Sequence, residues 1–120
     1  VGLKENEAEK GAQQMLKEFG LTAFKDKDPD NLSIGQKRRV NIVSLLLMKP
    51  EIIMLDEPDT GLDRINSVQL MELLCLANQK GLTVIIISHN LKLIKNLCNR
   101  IIFIDKGEIV GANPYLELSK

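Results

Sequence analysis

The sequence predicts an α/β fold with a parallel sheet, and three observations carry that prediction. Two short apolar runs, Ile52 to Leu55 and "LTVIIIS" from Leu82 to Ser88, have the length of strands and no polar alternation. Unbroken apolar character is what strands need when helices cover both faces of a parallel sheet. Helical patterns separate and follow these runs, so the order strand, helix, strand, helix, strand is that of an α/β chain.

Each element has its own local reason. Residues 5–19 read as an amphipathic helix, with Ala8, Ala12, Met15, Leu16 and Phe19 on one stripe and Gly20 as its C-terminal cap. A short apolar turn follows, Leu21 to Phe24, then a charged loop from Lys25 to Asp30 broken by Pro29. A second helix starts near Ser33 and runs through "VNIVSLLLMK". Pro50 closes it, because a proline pushes the residue before it out of the helical region. After the strand at Ile52, Asp63 is a cap for a third helix ending near Lys80, with Gly81 behind it. Leu91 to Leu97 is a short helix, and "RIIFIDKGEIV" reads as a hairpin turning at Lys106-Gly107.

At 120 residues the length suits one modest domain or a piece of a larger one. The balance of 44% hydrophobic and 27% charged residues is that of a soluble globular chain. Zero formal net charge supplies no field to recruit nucleic acid, and 3% aromatic content gives no base-stacking platform. No nucleic-acid partner is expected. Cys75 and Cys98 lie in no metal-type spacing and read as reduced, buried thiols. No apolar run reaches the roughly 18 residues of a membrane span, and no signal peptide is visible. The chain opens on Val1 and enters a charged helical pattern almost at once, as a piece of a longer protein would.

The chemistry concentrates at strand ends. In "IIMLDEPDTGLD" an apolar strand runs straight into Asp56 and Glu57. Buried carboxylates cost several kcal/mol unless a cation or hydrogen-bond donors meet them. His89, the only histidine, ends the next strand, and ligands of open α/β sheets bind beyond the carboxyl ends of strands. The bland reading is a loop start and a satisfied core imidazole, but the coincidence of acids and histidine on one rim favours a site. That set suits metal-assisted phosphate cleavage. One carboxylate holds Mg²⁺ through water, the other orients or deprotonates the attacking water, and the imidazole meets the terminal phosphate.

"NLSIGQKRRV" adds a second constellation. Ser33 and Gln36 form a capping box, and a helix start alone would explain them. Gly35 in the first turn costs helix stability yet permits close approach of a ligand. Lys37, Arg38 and Arg39 put positive charge where the helix dipole prefers acids, which an anion docked on the free N–H groups would explain.

Together "LSIGQKRRV", "IIMLDEPDTGLD" and "TVIIISHN" resemble, in order and spacing, the signature motif, the Walker B motif with its D-loop, and the switch histidine of ABC-type ATPases. "RIIFIDKGEIV" resembles the closing hairpin of that domain and "ENEAEKGAQQMLKEFGL" part of its helical subdomain, so the resemblance spans the chain. "GQKRRVNIVSLLLMKPEIIMLDEP" is most similar to the energy-coupling-factor and cobalt/nickel-uptake branch. The resemblance implies a partial P-loop NTPase, a RecA-like core sheet with part of the helical signature subdomain. It divides the chain into residues 1–49, helical subdomain and signature helix, and 50–120, Walker B, D-loop, switch histidine and hairpin.

Residue by residue, Leu32, Ser33, Ile34, Gly35 and Gln36 would close over the γ-phosphate of ATP held by a second ATPase subunit, identical or not. Asp56 would hold Mg²⁺ through water and Glu57 would be the general base. Asp63 would be the D-loop aspartate at the dimer interface, and His89 the γ-phosphate switch. The implied protein hydrolyses ATP for a transmembrane transporter subunit, from the cytoplasmic face of the cell membrane.

Two departures stand out. Ile34 occupies a position that is usually glycine in the family, a change expected to be tolerated because Ser33 and Gly35 remain. No G-x-x-x-x-G-K-[ST] occurs in these residues, so the loop that cradles the phosphates is expected to lie before Val1. A non-catalytic split or degraded subunit, acting as a dimerisation module, is the main alternative. A non-transport ABC ATPase is another, and the lack of a long coiled-coil insertion between signature and Walker B argues against its DNA-repair branch.

Overall fold

A computed structural model describes residues 2–113; Val1 and the segment 114–120, assigned above to the closing part of the domain, lie outside it. The chain divides into two compact units, one ending at Ile87 and the other beginning at Ser88.

In the first unit, helix α1 spans Gly2–Glu18, beginning earlier than its apolar stripe predicts. Ala12, Met15, Leu16 and Phe19 are half-buried, while Ala8 is exposed. Gly20, at φ 69°, ends the helix: its N–H donates to Lys17 O at 3.2 Å, and the Leu21 N–H donates to Leu16 O at 2.7 Å. This paired closure satisfies the last carbonyls and turns Leu21 into the core. Two short 3₁₀ turns follow, Thr22–Phe24 and Pro29–Asn31, the second capped by Asp28.

Helix α2, Ile34–Leu46, begins with both halves of the predicted capping box. Gln36 N–H donates to Ser33 Oγ at 3.2 Å, and Ser33 N–H donates to Gln36 Oε1 at 3.0 Å. Its end comes a turn before Pro50: Lys49 is left-handed at φ 50°, the residue before a proline being barred from right-handed helix.

Strands β1, Ile52–Asp56, and β2, Thr83–Ile87, are joined by helix α3, Arg64–Gln79, in a parallel pair with Ile53 opposite Val84 and Asp56 opposite Ile87. Ile42, Val43 and Leu46 of α2, Ile53 of β1, and Leu70, Met71, Leu73, Leu74 and Ala77 of α3 are buried with Leu82.

The expectation that both sheet faces are covered is corrected here. Ile53, Leu55, Val84 and Ile86 lie on the sheltered face, but Ile52, Met54, Ile85 and Ile87 are exposed, Met54 at 69%. The helices of this unit close only one side of the pair.

The second unit holds helix α4, Leu91–Leu97, and an antiparallel hairpin of β3, Ile101–Asp105, and β4, Glu108–Asn113. The hairpin turns at Lys106-Gly107 as predicted. Both residues have positive φ, 47° and 80°, the geometry that matches the twist of a tight hairpin. Among the described residues no helix is long and apolar enough to cross a membrane. Cys75 and Cys98 are half-buried rather than fully buried.

Candidate functional site

The site residues of the first unit sit at three adjoining chain reversals. Leu32, half-buried, ends the second 3₁₀ turn and leads into Ser33, the exposed cap of α2. Ile34 is 67% exposed, so its bulk displaces nothing inside this unit. Gln36 is committed to the capping box through its side chain.

Gly35 is buried at the start of α2 for a reason the sequence did not reveal. A Cβ there would lie 2.8 Å from Asn66 Cβ and closer still to the rest of that side chain. The first turn of α2 thus rests on the first turn of α3, and glycine is the residue that fits. Packing within the chain is sufficient to require Gly35, whether or not a ligand also approaches it.

The basic triplet is likewise absorbed in large part by the fold. Arg38 Nη1 donates to the carbonyls of Pro58, at 2.5 Å, and Thr60, at 2.9 Å. Arg39 lies over the Phe24 ring at 5.9 Å and reaches Gly35 O through Nε at 3.4 Å. Partial burial pulls the Arg39 guanidinium below its ordinary range, a shift that leaves it charged at neutral pH. Lys37 alone of the three is exposed. Anion docking is therefore not needed to explain Arg38 and Arg39.

Asp56, the last residue of β1, is exposed, and Glu57 is half-buried. The burial cost anticipated for this acid pair does not arise at Asp56 in this chain, because its carboxylate meets solvent. Glu57 is left-handed at φ 46°, a conformation that costs a non-glycine residue on the order of 1–2 kcal/mol and survives where neighbours fix it. Several do. The Glu57 N–H donates to Ile87 O at 2.7 Å, extending the β1–β2 pairing beyond Asp56. Thr60 closes a turn, its N–H donating to Glu57 O at 3.1 Å, and its hydroxyl donates to Glu57 Oε2 at 3.3 Å.

Asp63 caps α3 as predicted. Its Oδ1 accepts from the Asn66 N–H at 2.8 Å and from Asn66 Nδ2 at 2.9 Å. The Asn66 backbone N–H first, then its side-chain amide, hold the Asp63 carboxyl below the usual carboxylate range. His89 belongs to the second unit, where it is exposed in the stretch between β2 and α4.

Arg38, Thr60 and Asn66 were not singled out as parts of the site by sequence reasoning. In the sequence Arg38 shows only as a charge misplaced against a helix dipole, and that misplacement is the usable signal. Asn66 stands three residues after a predicted cap, where a helix N–H needs its acceptor, but nothing local announced its contact with Gly35.

No group of three or more potential metal ligands occurs among the described residues. A lone exposed carboxylate at a strand end is nonetheless a donor set that fits Mg²⁺, which keeps most of its waters and takes one or two carboxylates together with phosphate oxygens.

Comparison with known proteins agrees with the family resemblance. The family model described as ABC transporter matches residues 1–60. The "Energy-coupling factor transporter ATP-binding protein EcfA" of Methanococcus maripaludis is 40% identical over 115 residues, covering 95% of this chain and 41% of that protein. The protein of the same name from Methanocaldococcus jannaschii is 40% identical over 110 residues, 92% of this chain and 39% of that protein. Among solved structures, cbiO1 from Clostridium perfringens, part of the ABC transporter complex cbiONQ, superposes with a TM-score of 0.83 at 35% identity, covering 92% of this chain and 44% of that one. The ADP conformation of MJ1267, an ATP-binding cassette of an ABC transporter, gives 0.82 at 26% identity, over 88% of this chain and 42% of that one. The chain spans about two-fifths of the length of the relatives it matches. Its fold is that of part of an ABC ATPase, and the chain belongs to the ABC transporter family.

Proposed function

We propose that this chain contributes the signature, Walker B, D-loop and switch-histidine portion of an ATP-hydrolysing subunit that powers a membrane transporter. The observation that carries the reading is the joining, within one unit, of the capped signature turn at Ser33–Gln36 to the acid-bearing loop at Asp56–Asp63. Its relatives named as energy-coupling-factor ATP-binding proteins support the uptake branch.

In this reading Asp56 holds Mg²⁺, which supplies charge neutralisation at the phosphates of bound ATP. Glu57 accepts the proton of the attacking water, its carboxylate steadied by the Thr60 hydroxyl. Ser33 and the N–H groups opening α2 meet the γ-phosphate of ATP carried by a second ATPase subunit, identical or related. Leu32, Ile34 and Gln36 shape that turn, and Asp63 faces the subunit interface. His89 is the residue assigned to contact the γ-phosphate. The phosphate cradle comes from residues outside the 120, and the assembled subunit works on the cytoplasmic face of the membrane against a transmembrane partner.

The two acids have separable roles, which gives the test. In a complete ATP-binding domain carrying this chain, Glu57→Gln keeps size and hydrogen bonding but cannot take a proton. Turnover should fall by roughly 10²–10⁴ while ATP binding survives, so the variant accumulates as an ATP-bound dimer. Asp56→Asn should instead weaken retention of Mg²⁺-ATP. Parental turnover by Glu57→Gln, or equal loss of nucleotide by both variants, contradicts the assignment.

A further inference from the structure

Arg38 stands outside the roles assigned above, yet its contacts bear directly on Glu57. It is half-buried on the first turns of α2, and both of its described hydrogen bonds cross to a loop that is remote in sequence. Pro58 O and Thr60 O are one residue apart on either side of Asp59, so a single guanidinium nitrogen grips the loop at two points. Hydrogen bonds from a charged donor are roughly twice as strong as neutral ones, and an arginine fork fixes direction as well as distance.

What it grips is the segment that sets Glu57. The left-handed Glu57 backbone hands on to Pro58, the Thr60 N–H folds back to Glu57 O, and the Thr60 hydroxyl donates to the Glu57 carboxylate. Pro58 O and Thr60 O lie in the two peptides that flank the Asp59–Thr60 peptide, so holding both restrains the Thr60 N–H that closes the turn and the Thr60 side chain that meets Glu57. We infer that Arg38 is a positioning residue for hydrolysis: by holding Pro58 O and Thr60 O, it fixes the Glu57 carboxylate where it can take the proton of the attacking water. Arg38 touches neither nucleotide nor water in this account and acts through Thr60 and the loop. The inference rests on the reading of Glu57 as the general base.

A purely structural arginine would lower stability and leave the chemical step alone, so the test separates the two. Arg38→Met keeps the apolar stem and removes every donor; Arg38→Lys keeps the charge and one donor point. Both are measured in the complete ATP-binding domain, with kcat, KM for ATP and thermal midpoint taken together. A misplaced base costs on the order of 10- to 100-fold. We expect Arg38→Met to lose that much in kcat with KM little changed, and Arg38→Lys to recover part of it. Arg38→Lys alone suffices if Arg38→Met does not fold, because its partial loss in kcat at constant KM is the same signature. The loss should vanish in a Glu57→Gln background, where residual single-turnover hydrolysis is followed by phosphate release. Parental kcat in a folded Arg38 variant, or an equal loss with and without Glu57, overturns the inference while the role of Glu57 stands. Parental turnover by Glu57→Gln itself overturns the reading on which it rests.

Discussion

The two sides of the β1–β2 pair differ sharply. On the sheltered side, α2 and α3 bury a continuous set of apolar residues, with Leu70 at 0% exposure. There the contacts are specific as well as apolar: Gly35 against Asn66, Arg38 to the loop carbonyls, and Asn66 to Asp63. On the other side Ile52, Met54, Ile85 and Ile87 stand in solvent with the apolar composition of a core. The sequence wrote both sides as interior, and only one has its cover in these residues. Glu57 and the turn at Ser33–Gln36 are held by contacts within this unit, whereas Asp56 continues the series of Ile52 and Met54 on the bare face.

The largest expected contrast is in stability. Leu70→Ala, at the centre of the closed side, should cost about 2–5 kcal/mol, since it removes packed methyl groups and leaves a cavity. Met54→Ala on the bare side should change stability by less than about 0.5 kcal/mol, as ordinary exposed substitutions do. Denaturant unfolding of both variants checks this, and equal losses would mean that the bare side is covered in solution.

Gly35→Ala comes next. The added methyl meets Asn66 at a distance that carbon atoms do not tolerate, so the start of α3 must shift. Overpacking of this kind costs about 1–3 kcal/mol. Asn66→Ala in the same chain should return part of it by removing the amide group, although Cβ of residue 66 still crowds the site. No rescue in the double variant would separate the two helix starts.

The bare side makes a third prediction. Exposed contiguous apolar surface and unpaired strand edges drive association. The isolated 120-residue chain should therefore self-associate, and Met54→Lys with Ile85→Thr should reduce this without loss of helical signal. Sedimentation across a concentration series reads both. A monodisperse parental monomer would contradict the role given to this face.

The smallest effect concerns pH. The Asp63 carboxyl is held below the usual carboxylate range in the folded state, so its capping contribution is present above its unfolded pKa, about 3.9. That contribution is lost as pH falls through the lower, folded value. The Asn66 amide resonance should titrate with it, and Asp63→Asn, which keeps an acceptor, should abolish that titration while retaining the cap. An Asn66 amide that does not respond to acid would remove Asp63 as its partner.

Local features were legible in the sequence, and long-range ones were not. The capping box at Ser33 and Gln36, the Asp63 cap, the Gly20 closure and the Lys106-Gly107 turn are decided within a few residues and were read correctly. The unbroken apolar runs gave the strands and their parallel pairing, because period and composition are enough for that. They could not say that one face would be bare here, since covering a face depends on residues far away. The same limit hid what Arg38 and Asn66 touch: the Arg38 hydrogen bonds cross 20 and 22 residues, and Asn66 packs against Gly35, so locally only the misplaced charge of Arg38 shows. The family was readable from the motifs as a set, by order and spacing, whereas the exposure of Asp56 and the left-handed backbone of Glu57 needed coordinates.

The central claim is that these residues carry the acids and signature turn of an ATP-hydrolysing site whose phosphate cradle lies outside the 120. ATP hydrolysis by the isolated chain, compared with the same chain joined in cis to a family phosphate-loop half, tests it most directly. The chain alone should show no turnover and no micromolar ATP binding, and the joined protein should show Mg²⁺-dependent turnover that Glu57→Gln removes. Hydrolysis by the isolated chain, or a folded, nucleotide-binding joined protein whose turnover ignores Glu57, would contradict it.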